Sequence, residues 1–305
     1  MTDEAELLTD LLRKTSRTFA LTIPLLPQPT RRQVGVGYLL FRIIDSFEDA
    51  TLWAPDKRIR ALDEFVQLMK RPDRGAATAC AADWLREPPL EHAGYLELIQ
   101  RTPRVLEWHA GLAVQAREPM RDHLLRTARG MADFVRRSDP SGSLRLETEK
   151  DLHEYCFVVA GIVGQLLTEL YLIDSPQLAG VAGELRARAE RFGEGLQLVN
   201  ILKDAQADEE EGRIYLPLEL SLDQVFALAH ADLIAALEYT EILRWARADF
   251  GIVAFNALNA RLALETLRIL RSQGPGSKLT RVELTGLADD VMRSISAGTS
   301  LLTET

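Results

Sequence analysis

FRIIDSFEDA, residues 41–50, decides how this chain is read. Arg42, Asp45, Glu48 and Asp49 sit in a run otherwise dominated by Phe and Ile, and a carboxylate taken out of water is costly unless something pairs with it. Placed on a helix, Tyr38, Arg42, Asp45 and Asp49 share an arc of about 60°, while Glu48 falls outside it. Leu39, Leu40, Phe41, Ile43, Ile44 and Phe47 cover the rest of the circumference. A helix so wrapped is enclosed by protein, and its narrow polar stripe is expected to face a wettable internal cavity.

A second stripe of the same design lies in QLVNILKDAQAD, residues 197–208. Gln197, Asn200, Asp204 and Asp208 share an arc of about 80°, with Leu198, Val199 and Leu202 pointing elsewhere. Carboxylates one turn apart repel each other when ionised unless a cation lies between them. All-oxygen ligands suit Mg²⁺, which keeps waters and is commonly shared with substrate phosphates. Facing stripes would form a metal-filled cleft for a diphosphate. Either acidic pair alone is most simply a solvated helix face, and the acid run from Asp208 to Glu211 reads as exposed. Two such stripes on two otherwise apolar helices are hard to account for as surface.

Apolar residues recur every three or four positions over roughly 30–52, 56–70, 99–136, 148–172, 179–211, 229–247, 250–272 and 279–302, the spacing of amphipathic or buried helices. Strand alternation is nearly absent. Breaks fall at Pro and Gly clusters too short to be linkers, so one all-α domain over residues 1–305 is expected. Of the 305 residues 47% are hydrophobic and 27% charged, enough to build a large core. Lys plus Arg number 36 against 45 acids, a net charge of −9 that disfavours nucleic acid. Two cysteines without CxxC spacing, an acidic N-terminus and no evident membrane-spanning run point to a cytoplasmic protein.

Other residues invite chemistry. Tyr155 precedes a run that is apolar nearly all round, EYCFVVAGIVGQLL (154–167), in which Gly161 and Gly164 leave room for another group to come close. Its hydroxyl is either a general acid or base at the dry end of a cavity or a buried hydroxyl bonded to a carbonyl. Ser16 and Arg17 form a helix-capping or phosphate-binding pair. Arg213 follows the second stripe and could fold over a phosphate; Lys203 could do the same or be a surface lysine. The histidines show no zinc spacing, and no glycine-rich nucleotide loop follows a strand.

In order along the chain, SRTFALTIPLLP (16–27), YLLFRIIDSFEDA (38–50), YCFVVAGIVG (155–164) and LQLVNILKDAQADEEEGRIYLP (196–217) resemble the successive signatures of the squalene and phytoene synthases. The resemblance implies an all-α isoprenoid synthase fold with helices around a central cavity. It implies Mg²⁺ and head-to-head condensation of two allylic prenyl diphosphates through a cyclopropylcarbinyl diphosphate. By that resemblance Asp45 and Asp49, then Asn200, Asp204 and Asp208, hold Mg²⁺ and diphosphate. Ser16, Arg17, Tyr38, Arg42 and Arg213 match positions that contact diphosphate or order the metal site, and Tyr155 matches a tyrosine of proton transfer. Lys203 stands where the family commonly has Arg, keeping the charge but losing the two-pronged grip on phosphate. DSFED (45–49) and FNALNARLALETL (255–267) are similar to the squalene-type branch and, with the chain stopping at LLTET rather than in an anchor, to its bacterial members. Farnesyl diphosphate is then the expected substrate, squalene the expected product and NADPH the hydride source. Phytoene, dehydrosqualene or presqualene diphosphate synthesis is the alternative within the family, and a non-catalytic helical scaffold the alternative outside it. A greasy product makes transient contact with a membrane surface an expectation too.

Overall fold

The computed structural model describes residues 2–302, and helices carry most of it. The chain divides into two units. The first holds the residues up to Pro24 and Gln28–Leu144; the second holds Leu25–Pro27 and everything from Arg145 onward.

The first unit comprises α1 (Thr2–Thr15), α2 (Phe19–Thr22), α3 (Thr30–Glu48), α4 (Pro55–Lys70), α5 (Arg74–Trp84), α6 (Ala93–Gln100), α7 (Thr102–Ala110) and α8 (Val114–Arg137). Helix α3 packs against α1, α4, α6, α7 and α8, which is why its apolar residues run nearly all round. Helices α1, α2 and α5 and most of α6 lie outside the segments that periodicity marks. Helix α1 buries a short stripe of Leu8, Leu11 and Leu12, whereas α5 buries Ala77, Ala81 and Trp84, with too few large side chains to show a period. The periodic segment 99–136 is shared by the end of α6, by α7 and by α8. Arg101 closes α6 and opens α7, Pro103 sits in the first turn of α7, and Gly111 ends it.

The second unit comprises α9 (Glu149–Cys156), α10 (Ile162–Asp174), α11 (Ala182–Glu210), α12 (Leu222–Trp245), α13 (Phe250–Gln273) and α14 (Arg281–Ala297). Capping boxes start three of them: Thr148 with Asp151, Ser221 with Gln224, and Thr280 with Glu283. Helix α11 is the axis, packed by α9, α10, α12 and α13. The approach is closest at glycines: a Cβ on Gly164 would sit 1.9 Å from the Ala189 carbonyl oxygen, and one on Gly193 2.0 Å from that of Ala160. These are the close contacts that the glycines of 154–167 implied.

Between α9 and α10, residues Phe157–Gly161 form one wide π turn. The whole stretch Glu149–Asp174 is long and apolar enough to cross a membrane by length and composition, with mean hydropathy 1.9 in its most apolar window. That corrects the expectation that no such run exists: between Tyr155 and Leu172 the polar residues are Gln165, Thr168, Glu169 and two tyrosines, and the one charge, at Glu169, dilutes the apolar run without ending it. In the structure it is seated on α11 through Gly164.

Candidate functional site

From Gln33 to Ala50 every residue is buried except Tyr38, Arg42, Asp45 and Asp49. Those four are the stripe that the helical spacing picks out. Glu48, left outside it, is buried against α4, where Arg58 Nη2 lies 3.9 Å from its carboxylate and also donates to the Glu48 carbonyl oxygen. Nothing in the spacing of the sequence marks Arg58 as that partner.

Within the stripe, Arg42 Nη1 stands 3.5 Å from Asp45 Oδ2, and its guanidinium lies 5.8 Å from the ring centre of Tyr38 and 5.4 Å from that of Tyr95. Tyr95, on α6, also escaped the sequence reading, because a lone Tyr in HAGYLELIQ carries no positional signal. Burial pushes Asp45 up to about 7; Arg42 pulls the other way and Asp49 adds to the rise. Arg42 Nε is buried without a hydrogen-bond partner. The Tyr38 hydroxyl donates to the Thr15 carbonyl oxygen at 2.8 Å, and the Tyr38 ring lies 5.4 Å from Phe19. These contacts tie the Ser16–Arg17 turn to the stripe. Ser16 Oγ accepts from the Phe19 N–H at 2.9 Å, the capping role open to it from sequence, and Arg17 is exposed.

The second stripe lies along the C-terminal half of α11. Leu198, Val199, Ile201 and Leu202 are buried, Gln197, Lys203, Asp204 and Asp208 half-buried, and Asn200 exposed. The cations of this stripe pair with its own polar groups. Lys203 Nζ donates to Asn200 Oδ1 at 3.0 Å and lies 3.2 Å from Asp204 Oδ2. Arg213 Nη2 bridges Asp208 Oδ1 at 3.2 Å and Glu211 Oε2 at 2.7 Å. Both cations are thus paired with aspartates of the stripe, Lys203 with Asp204 and Arg213 with Asp208. Just beyond Arg213, the ring of Tyr215 stacks on that of Tyr155 at 4.5 Å and 24°. Tyr155 is buried in the last turn of α9, beside the π turn, where Phe157, Val158, Val159 and Ala160 remain half-exposed. Tyr215 is a further residue that spacing alone did not reveal.

Do these residues fit a divalent cation? Among the described residues no three His, Cys, Asp or Glu side chains converge as a self-sufficient metal cage. Carboxylates come instead in one-turn pairs, Asp45 with Asp49 and Asp204 with Asp208. Mg²⁺ is typically held in this way, by one or two carboxylates with phosphate oxygens and water completing its shell. The desolvated carboxylate of Asp45 beside a second aspartate, and the orphaned Arg42 N–H, are groups that a metal-bound diphosphate would satisfy. The donor set fits.

Comparison with known proteins gives the same direction. The family model for squalene/phytoene synthase matches residues 12–287. A squalene synthase of Eremothecium gossypii is 30% identical over 216 residues, which span 69% of this chain and 45% of that relative. One from Homo sapiens is 27% identical over 209 residues, 68% of this chain and 45% of that protein. The match thus spans less than half the length of these relatives. Among solved structures, a ligand complex of TcSQS superimposes with a TM-score of 0.73 at 22% identity, covering 97% of this chain and 91% of that one. A dehydrosqualene synthase in complex with a ligand gives 0.60 at 19%, covering 97% and 98%. The fold is the all-α isoprenoid synthase fold.

Proposed function

The chain belongs to the squalene/phytoene synthase family, and from that premise we propose that it is a prenyltransferase. It joins two prenyl diphosphates, farnesyl diphosphate favoured, head to head through presqualene diphosphate to squalene. The observation that carries this reading is the first stripe: one Tyr, one Arg and two Asp are the only residues not buried along eighteen positions of an otherwise sealed helix segment. A surface helix has no reason to confine its polarity so narrowly.

In this reading Asp45 and Asp49 on one helix, and Asn200, Asp204 and Asp208 on the other, hold Mg²⁺. Bound there, the metal supplies positive charge to a departing diphosphate. Arg42, with its unpaired N–H, Arg17, Ser16 and Tyr38 contact diphosphate at the first stripe; Gln197, Lys203 and Arg213 do so at the second. Lys203 and Arg213 exchange their present carboxylate partners for phosphate oxygens, and preorganised charge of this kind is the largest lever a protein has on such an ionisation. Tyr155, held in an apolar surrounding, takes or returns the proton when the cyclopropane closes. The half-exposed apolar side chains of the π turn shield the allylic cation from water. Squalene as the end product needs a hydride, so NADPH joins the proposal as co-substrate. The protein is proposed to work in the cytoplasm, touching membrane surfaces only to exchange its greasy substrate and product.

Purified protein incubated with farnesyl diphosphate and Mg²⁺, with and without NADPH, tests this. Squalene formed only with NADPH is the expected result. Turnover confined to geranylgeranyl diphosphate, or products that stop at presqualene diphosphate or dehydrosqualene, would reassign the chain within its family. A helical scaffold without catalysis would show no Mg²⁺-dependent rise in Tm with a diphosphate analogue.

A further inference from the structure

Helix α9 is eight residues long and carries Tyr155 in its last turn. Its rotational setting is not inherited from α10, because the π turn at Phe157–Gly161 breaks the regular register between the two. Something else must hold it. On one face is the Tyr155–Tyr215 stack. Two positions earlier, and about 200° round the helix, His153 points the opposite way. There His153 Nδ1 lies 3.3 Å from Glu194 Oε2 on α11, and Nε2 lies 3.8 Å from Glu149 Oε1 on α9 itself. The Glu194 side chain is 6% exposed. Alongside it on α12, Asp232 is equally enclosed, its Oδ1 taken by Arg191 Nε of α11 at 2.7 Å and its Oδ2 left without a hydrogen-bond partner.

A carboxylate this buried is costly to leave unpaired. Arg191 is committed to Asp232, so His153 is the cation that faces Glu194. We propose that the His153–Glu194 pair is the positioning device for Tyr155: it pins α9 to α11 from behind and so sets where the Tyr155 hydroxyl stands. The proposal rests on the acid–base reading of Tyr155 given above. The groups facing His153 are Glu149 of α9, Glu194 of α11 and Asp232 of α12, the last of them paired with Arg191. The hydrogen bond to Glu194 raises the His153 pKa against the effect of burial. Its contribution is therefore complete below the ordinary value of 6.5 and fades as pH rises through the raised folded value.

The test uses the full chain with farnesyl diphosphate and Mg²⁺, comparing His153→Phe with His153→Gln, which keeps a hydrogen-bond donor. The near-UV circular dichroism of the Tyr155–Tyr215 stack, identified by its loss in Tyr155→Phe, reports the position of Tyr155 without reference to turnover. His153→Phe is expected to weaken that signal and to lower kcat about tenfold, with KM changed less than about twofold, the pattern of a misplaced catalytic group. His153→Gln should restore both and remove the alkaline decline of kcat. A His153→Phe protein with a lower Tm but an undiminished signal and kcat overturns the proposal. Should that variant not fold, Glu194→Gln reads the same pair: its stack signal should no longer vary with pH, and a dependence matching the unaltered protein overturns the proposal equally. Full turnover by Tyr155→Phe would instead remove the acid–base role, leaving the dichroism to judge the clamp by itself.

Discussion

Glu48 Oε1 lies 3.9 Å from Arg58 Nη2, with the two side chains only 3% and 8% exposed. The glutamate of DSFED thus belongs to the packing between α3 and α4, at the helix end that delivers Asp49, and has no place in the polar stripe. Removing one partner strands the other charge in the core. Glu48→Leu or Arg58→Met alone is expected to cost about 3–5 kcal/mol, while the double substitution is expected to recover most of the loss. Urea midpoints of the three variants check this; single variants within 1 kcal/mol of the parent, on the order of a surface pair, would show that the ion pair is slack.

Asp45→Asn separates function from folding. The half-buried carboxylate sits beside Asp49, and its desolvation already pushes its pKa up to about 7. Its loss is expected to leave Tm unchanged or higher while turnover falls by about 10²-fold or more. Substantial residual activity in a steady-state assay would argue against the metal assignment.

Tyr155→Phe keeps the ring that stacks on Tyr215 and removes only the hydroxyl. The expected outcome is a fall in kcat of about 10²-fold with little change in KM. An effect on KM alone would make the hydroxyl a binding group.

The glycines of α10 and α11 yield a stability contrast. Gly164→Ala and Gly193→Ala each place a Cβ about 2 Å from a backbone carbonyl oxygen that cannot step aside. Each is expected to lose about 2–3 kcal/mol. Gly183, also on α11, has nothing within 4 Å of such a Cβ. There Ala should raise stability by about 0.5–1 kcal/mol through helix propensity. Thermal denaturation of the three variants reads both signs.

His109 of α7 is 4% exposed, and its Nε2 meets the Arg117 carbonyl oxygen at 3.2 Å. Burial pushes its pKa down to about 4, although that carbonyl acts in the opposite sense. Between its ordinary value of 6.5 and about 4 the unfolded chain binds the extra proton and the folded one does not. Stability therefore falls with pH across that window, by on the order of 3 kcal/mol in total. Urea midpoints from pH 7 to pH 4 should drop less steeply in His109→Gln, and parallel slopes would show that other groups govern acid unfolding.

The all-α class, the long helices and both polar stripes were legible in residue order, because helical periodicity is a local property and a four-residue polar stripe survives projection onto a wheel. Tyr38, Arg42, Asp45 and Asp49 were separable from Glu48 by angle alone, and burial along α3 follows that division residue by residue. Partners were not legible. Arg58 for Glu48, Tyr95 for Arg42, Tyr215 for Tyr155 and Glu194 for His153 each come from another element, and no spacing rule connects positions joined only by packing. Nor could periodicity see the π turn after Tyr155 or the breaks at Arg101 and Gly111, since these alter backbone register without interrupting the apolar pattern. The sequence by itself determined which helix faces are polar, because side-chain direction follows from residue number. Only the tertiary structure decided which charges are neutralised and by whom, because the cost of a buried charge is settled by neighbours brought from far along the chain.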